Sequence, residues 1–147
     1  QKLVMSFHGL PVRCTELGDP YCRDSYETAR ALADRLGLND DDFLVTFQSR
    51  FGPAAWLQPY TEPTLEELAK TGVTKIDVVC PGFVADCLET LEEITVEVKD
   101  TFMAAGGEQF RYIPCLNDDP AWIDALTSMV EQHLQGWPTQ EDHITGQ

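Results

Sequence analysis

Four short apolar runs alternate with stretches of helical spacing along this chain, and the alternation predicts its architecture. Lys2 to Phe7, Phe43 to Gln48, Lys75 to Cys80 and Phe110 to Pro114 are rich in β-branched or aromatic residues and bounded by polar or turn residues, so each reads as a strand. Asp19-Pro20 supplies an N-cap and a first-turn proline to a helix with Tyr26, Ala29, Leu32, Ala33 and Leu36 as apolar positions, stopped by Gly37. Thr64 and Glu67 have the spacing of a capping box for a short helix through Leu65, Leu68 and Ala69 that stops at Gly72. A third helix is predicted from Asp86 to Ala105, ending at Gly106-Gly107. Asp119-Pro120 opens a fourth, with Ile123, Leu126, Val130 and Leu134 on one face, and residues 136–147 read as a polar tail.

Strands alternating with helices call for a mostly parallel sheet covered on both faces, because right-handed crossovers leave few other topologies. The expected fold is therefore α/β: a doubly wound, four-stranded parallel sheet in one domain over residues 1–135, with strand order 2-1-3-4. In such sheets ligands bind outside the carboxyl ends of the strands, at the switch point between the first and third. All four strand ends place candidates there: His8, then Gln48-Ser49-Arg50, then Asp86 and Glu89, then Asn117. Ser49 to Tyr60 is a long irregular connection rich in aromatics and prolines at the same edge, and loops of that length in compact domains are commonly functional. Within it Trp56 and Tyr60 either line an apolar pocket or pin the loop to the domain.

Charge narrows the partners. The 147 residues carry 25 acidic against 10 basic side chains, a net charge of -15, which repels phosphate backbones and makes nucleic acid a poor partner. Five cysteines, Cys14, Cys22, Cys80, Cys87 and Cys115, form neither a disulfide framework nor zinc-finger spacing and fit a reducing cytosol. Cys80 and Cys115 read as small core residues, Cys14 and Cys22 as thiols of an exposed loop. No apolar run approaches the roughly 20 residues of a membrane span, so no transmembrane segment is expected. The chain opens almost directly on a strand, which suggests a piece of a longer polypeptide. G-x-G-x-x-G, G-x-x-x-x-G-K-[ST] and G-x-S-x-G are all absent from the sequence, which leaves dinucleotide, nucleotide-phosphate and hydrolase-elbow sites without support.

On the third predicted helix, at about 100° per residue, Asp86, Glu89, Glu93, Glu97 and Asp100 fall in a sector roughly 80° wide, opposite Leu88, Leu91, Ile94, Val98 and Phe102. Such a stripe is more often the solvated face of an amphipathic helix whose first acids complement its dipole than a metal path. His8 is similarly open to two readings, a reactive imidazole or a loop hydrogen-bonding group. The residues by themselves specify an α/β domain with a histidine and carboxylate cleft, and they do not name its reaction.

Ser6 to Pro11, Thr46 to Gly52, Trp56 to Thr61, Cys80 to Glu93 and Tyr112 to Asn117 together closely resemble the carboxyl-terminal domain of bacterial ferrochelatases, from about Lys2 to the fourth helix. The resemblance implies insertion of ferrous iron into protoporphyrin, a lyase reaction of haem biosynthesis. It implies that His8 and Glu89 are the catalytic pair facing each other across the porphyrin cavity. Asp86 and Glu93 would extend them into an acidic path for metal or protons, and Trp56, Gln48, Ser49 and Arg50 would contact substrate. It also implies that the third helix begins wider than an α-helix.

A ferrochelatase has two similar domains with the macrocycle between them, so the implied partners are protoporphyrin, ferrous iron and an amino-terminal domain of the same enzyme. The isolated chain is expected to be inactive or nearly so. Some relatives hold a [2Fe–2S] cluster on cysteines of a carboxyl-terminal extension; no cysteine follows Cys115, so no cluster and no tightly bound cofactor is expected. The implied location is the cytoplasm, with peripheral contact to the inner membrane in the complete enzyme. The rival readings are a chelatase for another metal or tetrapyrrole, and a non-catalytic tetrapyrrole- or metal-binding domain.

Overall fold

In a computed structural model, which describes residues 1–137, the chain forms two compact units that meet in sequence between Asn117 and Asp118. The first unit contains β1 (Lys2–His8), α1 (Val12–Glu16), α2 (Tyr21–Leu36), β2 (Phe43–Gln48), α3 (Thr61–Lys70) and β3 (Lys75–Val79). It continues with a π-helix (Glu89–Val98), α4 (Lys99–Ala104) and β4 (Gln109–Ile113). The four strands are parallel throughout and lie in the order β2-β1-β3-β4. The doubly wound sheet and its expected strand order are therefore observed, and every carboxyl end faces one edge.

Two-residue alternation divides the core between the faces of this sheet. Val4, Ile76, Val78 and Cys80 pack with Leu65, Ala69, Ile94, Val98 and Phe102 on one side. Met5, Phe7, Val45 and Phe47 pack with Ala29, Ala33 and Leu57 on the other. Helix α2 ends where expected, on Gly37 in the left-handed region at φ 68°, and Asp19 Oδ1 accepts the Tyr21 N–H at 2.9 Å as its start signal. Cys22 lies within this helix, half-buried, instead of in a loop, and α1 carries Cys14 where an irregular segment was expected.

The capping box expected at Thr64 does not form. Helix α3 begins four residues earlier, with Tyr60 at its N-cap, which leaves Thr64 inside the helix. Thr61 is buried at this earlier start, with its hydroxyl 2.9 Å from that of Thr46, so a tertiary contact decides the boundary that local spacing misplaced.

The third predicted helix is two geometries in series, π from Glu89 to Val98 and α from Lys99 to Ala104, and Asp86 stands before it. Hydrogen bonding from i to i+5 puts more residues in each turn, so each residue advances by less than in an α-helix. Residues four apart then stack more nearly one above another: Thr90, Ile94 and Val98 are buried, and Glu89, Glu93 and Glu97 run beside them. Leu88 and Leu91, expected on the apolar face, rotate outward to 74% and 52% exposure.

The second unit contains α5 (Pro120–His133), started as expected by Asp119, whose Oδ1 accepts from the N–H groups of Ala121 and Trp122. Of the predicted polar tail over 136–147, residues 138–147 lie outside the described residues. No helix of the described residues is long and apolar enough to cross a membrane.

Candidate active site

His8 is the last residue of β1 and pairs in register with Gln48, the last residue of β2. The chain then turns through Gly9, whose N–H donates to the Gln48 carbonyl at 2.7 Å. A Cβ at Gly9 would stand 2.8 Å from that carbonyl oxygen and 3.3 Å from the Trp56 ring, so only glycine fits this approach. The long loop straps the turn from outside: Leu57 N–H donates to the Leu10 carbonyl at 2.9 Å and Val12 N–H to the Ala55 carbonyl at 2.8 Å. His8 Nδ1 lies 2.6 Å from the Gly9 carbonyl oxygen, which can only accept. Nδ1 therefore carries the proton, and Nε2 is the basic nitrogen of the neutral ring. The ring packs beside Phe83 at 6.2 Å between centroids.

Glu93 is held from the end of β2. Ser49 N–H and Ser49 Oγ donate to its two carboxylate oxygens, each at 2.6 Å. Ser49 adopts φ 61°, a left-handed conformation that costs a non-glycine residue roughly 1–2 kcal/mol, and this double contact is what the conformation secures. Glu89 opens the same helix. Its carboxyl is held below the usual carboxylate range chiefly by the Cys87 thiol and by its own backbone N–H.

Asp86 is turned elsewhere. Its carboxylate accepts from Tyr112 Oη at 2.6 Å, Asn117 Nδ2 at 2.8 Å, Thr90 Oγ1 at 3.1 Å and Cys115 N at 3.4 Å, while its own N–H donates to Asn117 Oδ1 at 2.8 Å. Burial raises the pKa of this carboxyl, but the four donors outweigh burial and bring it down to about 2. Burial and the adjacent carboxylate together push the Tyr112 phenol far above its ordinary value. The acids expected as one stripe thus divide: Glu89 and Glu93 lie on the wide helix, and Asp86 joins the end of β4 to the first turn of that helix. Among the described residues no three His, Cys, Asp or Glu side chains converge as a preformed metal cage.

Gln48, expected to touch substrate, is 3% exposed, and both ends of its amide face protein groups. Arg50 is exposed and stacks over the Tyr60 ring at 4.5 Å. Trp56 lies against the Gly9 turn and keeps a buried Nε1 with no hydrogen-bond partner. An open hollow of about 350 Å³ is walled by Ser49, Arg50, Phe51 and Leu88 together with Glu89, Glu92, Glu93 and Glu97; His8 and Trp56 are not in its wall. Tyr112, Thr90 and Cys87 acquire their contacts only in three dimensions. The one sequence signal for them was the inward phase of Tyr112 on β4, two residues after Phe110.

Comparison with known proteins agrees with the geometry. A ferrochelatase family profile matches residues 1–134. Ferrochelatase of Bordetella pertussis (strain Tohama I) is 70% identical over 139 residues, covering 95% of this chain and 38% of that protein. Ferrochelatase of Herminiimonas arsenicoxydans is 61% identical over 138 residues, covering 94% of this chain and 38% of that protein. The chain therefore spans well under half the length of these relatives. A solved structure assigned to cobalamin biosynthesis, the CbiX protein of Marinobacter aquaeolei VT8, superposes with a TM-score of 0.56 over 90% of this chain and 96% of its own, and at 15% identity it speaks for the fold alone. On the family match and these identities, the chain belongs to the ferrochelatase family.

Proposed function

We propose that this chain is one half of an enzyme that inserts ferrous iron into protoporphyrin to make haem, and that His8 and Glu89 carry the chemistry. What supports this reading is that His8, with Nε2 as its basic nitrogen, ends β1 in register with Gln48, and the Gln48 side chain in turn holds the backbone of Glu89, whose carboxyl is held low. Two pyrrole N–H protons must leave as the metal enters. Imidazole Nε2 accepts a proton or offers a lone pair to Fe²⁺, and the Glu89 carboxylate offers oxygen to the incoming ion or takes the second proton. Glu93, clasped by Ser49, stands next along the helix as the acid that receives iron before Glu89.

On this reading an amino-terminal domain contributes a second wall for the macrocycle, which the greater length of the relatives supports. The isolated 147-residue chain is then inactive or nearly so, and the complete enzyme works in the cytoplasm. Incubating the complete polypeptide with protoporphyrin and Fe²⁺, and following haem absorbance, tests the reading. Insertion that falls at least about 100-fold in His8→Ala supports it. Porphyrin bound without insertion, or insertion indifferent to His8, contradicts it.

A further inference from the structure

Gln48 is the most heavily engaged side chain at the sheet edge, and the proposed chemistry leaves it without a task. Its Oε1 accepts from Ser6 Oγ at 2.7 Å and from the Cys80 thiol at 3.4 Å. Its Nε2 donates to the Glu89 carbonyl at 2.6 Å and, more weakly, to Glu93 Oε2 at 3.4 Å. Donors on one side and acceptors on the other fix the sense of the amide. Behind it, Thr61 Oγ1 lies 2.9 Å from Ser6 Oγ and 2.9 Å from Thr46 Oγ1, and Ser6, Thr46 and Thr61 are at most 2% exposed. A buried polar network in which every member is satisfied rigidifies what it joins.

What it joins is the two halves of the site. The backbone carbonyl of Gln48 receives the Gly9 N–H at 2.7 Å and so fixes the turn that carries His8. The side chain of the same residue holds the backbone of Glu89. We propose that Gln48 is a positioning residue that sets the separation of His8 from Glu89, its main chain referencing one and its amide the other. It touches neither substrate nor metal, because its amide is enclosed by protein groups. A bond to the peptide carbonyl of Glu89 leaves that residue's carboxylate free while limiting where the first turn of the wide helix can move.

The rate readout for this inference rests on the proposed reaction, so the test has two arms. In the complete polypeptide, Gln48→Met keeps the volume and removes both halves of the amide, while Gln48→Glu keeps an acceptor for Ser6 and loses the donor to Glu89. Both are expected to lower kcat for Fe²⁺ insertion by about tenfold or more with porphyrin KM within about twofold of wild type. In the 147-residue chain, amide hydrogen exchange over Thr90 to Ile94 is expected to quicken by about tenfold while the strands keep their protection. Unchanged kcat, a rise in KM alone, or exchange that quickens uniformly across the sheet would each overturn the assignment. If the unsubstituted complete polypeptide inserts no iron, the proposed reaction falls, and the exchange arm still decides the role of Gln48.

Discussion

The Tyr112 hydroxyl lies 2.6 Å from Asp86 Oδ1, joining the end of β4 to the residue that precedes the wide helix. A neutral phenol donating to an anion is the state both groups favour here, since the aspartate is held low and the tyrosine high. Asp86 is on this reading a fixed anion that seats the helix, with its oxygens already occupied before any metal arrives.

Tyr112→Phe removes one hydrogen bond to a charged, half-buried acceptor. It is expected to lower stability by about 1–2 kcal/mol, because the other three donors remain and solvent screens part of the loss. Urea denaturation at pH 7 measures it as a fall in midpoint with the slope unchanged.

The acid limb of the stability curve has a defined sign. The Asp86 carboxyl is depressed from 3.8 to about 2 in the folded chain, so its contribution is complete above about pH 4 and is lost as pH falls through about 2. Comparing the chain with Asp86→Asn between pH 7 and pH 2 is expected to show a stability gap at neutral pH that closes toward the acid end. A gap that stays constant over that range would show that the carboxylate charge is not what the four donors serve.

Gly9→Ala places a methyl group against the Gln48 carbonyl and the Trp56 ring, at 2.8 Å and 3.3 Å. Neither backbone nor indole yields freely, so the substitution is expected to cost about 1–3 kcal/mol and to displace His8. Thermal melting checks the first expectation. In the complete polypeptide, iron insertion should fall more than the melting temperature alone accounts for.

Much of this was legible in the residues. The apolar runs gave all four strands within a residue or so, Gly37 and Asp119 marked helix ends and Asp19 came within a residue of one, and alternation implied a parallel sheet, whose strand order is the common one for such folds. Strand ends offered His8 and Glu89 among several candidates, and only the family resemblance singled them out as a pair. The start of α3, the outward turn of Leu91 and the separation of Asp86 from the acidic stripe could not be read from periodicity. Each depends on a contact distant in sequence or on a helix that leaves 3.6 residues per turn, and an assumed 100° step misplaces side chains wherever the backbone widens. Gln48 looked like a ligand-facing residue because it sits at a strand end; its burial shows that position at the edge and access to it are different properties.

The measurement that bears most directly on the account is a double-mutant cycle of His8→Ala and Glu89→Gln, read as iron insertion into protoporphyrin by the complete polypeptide. Two residues that act as a unit on one macrocycle lose their effects together, so the double variant is predicted to be within about threefold of the slower single one. Losses that multiply independently, or a Glu89→Gln variant as fast as wild type, would contradict the pairing of these two residues.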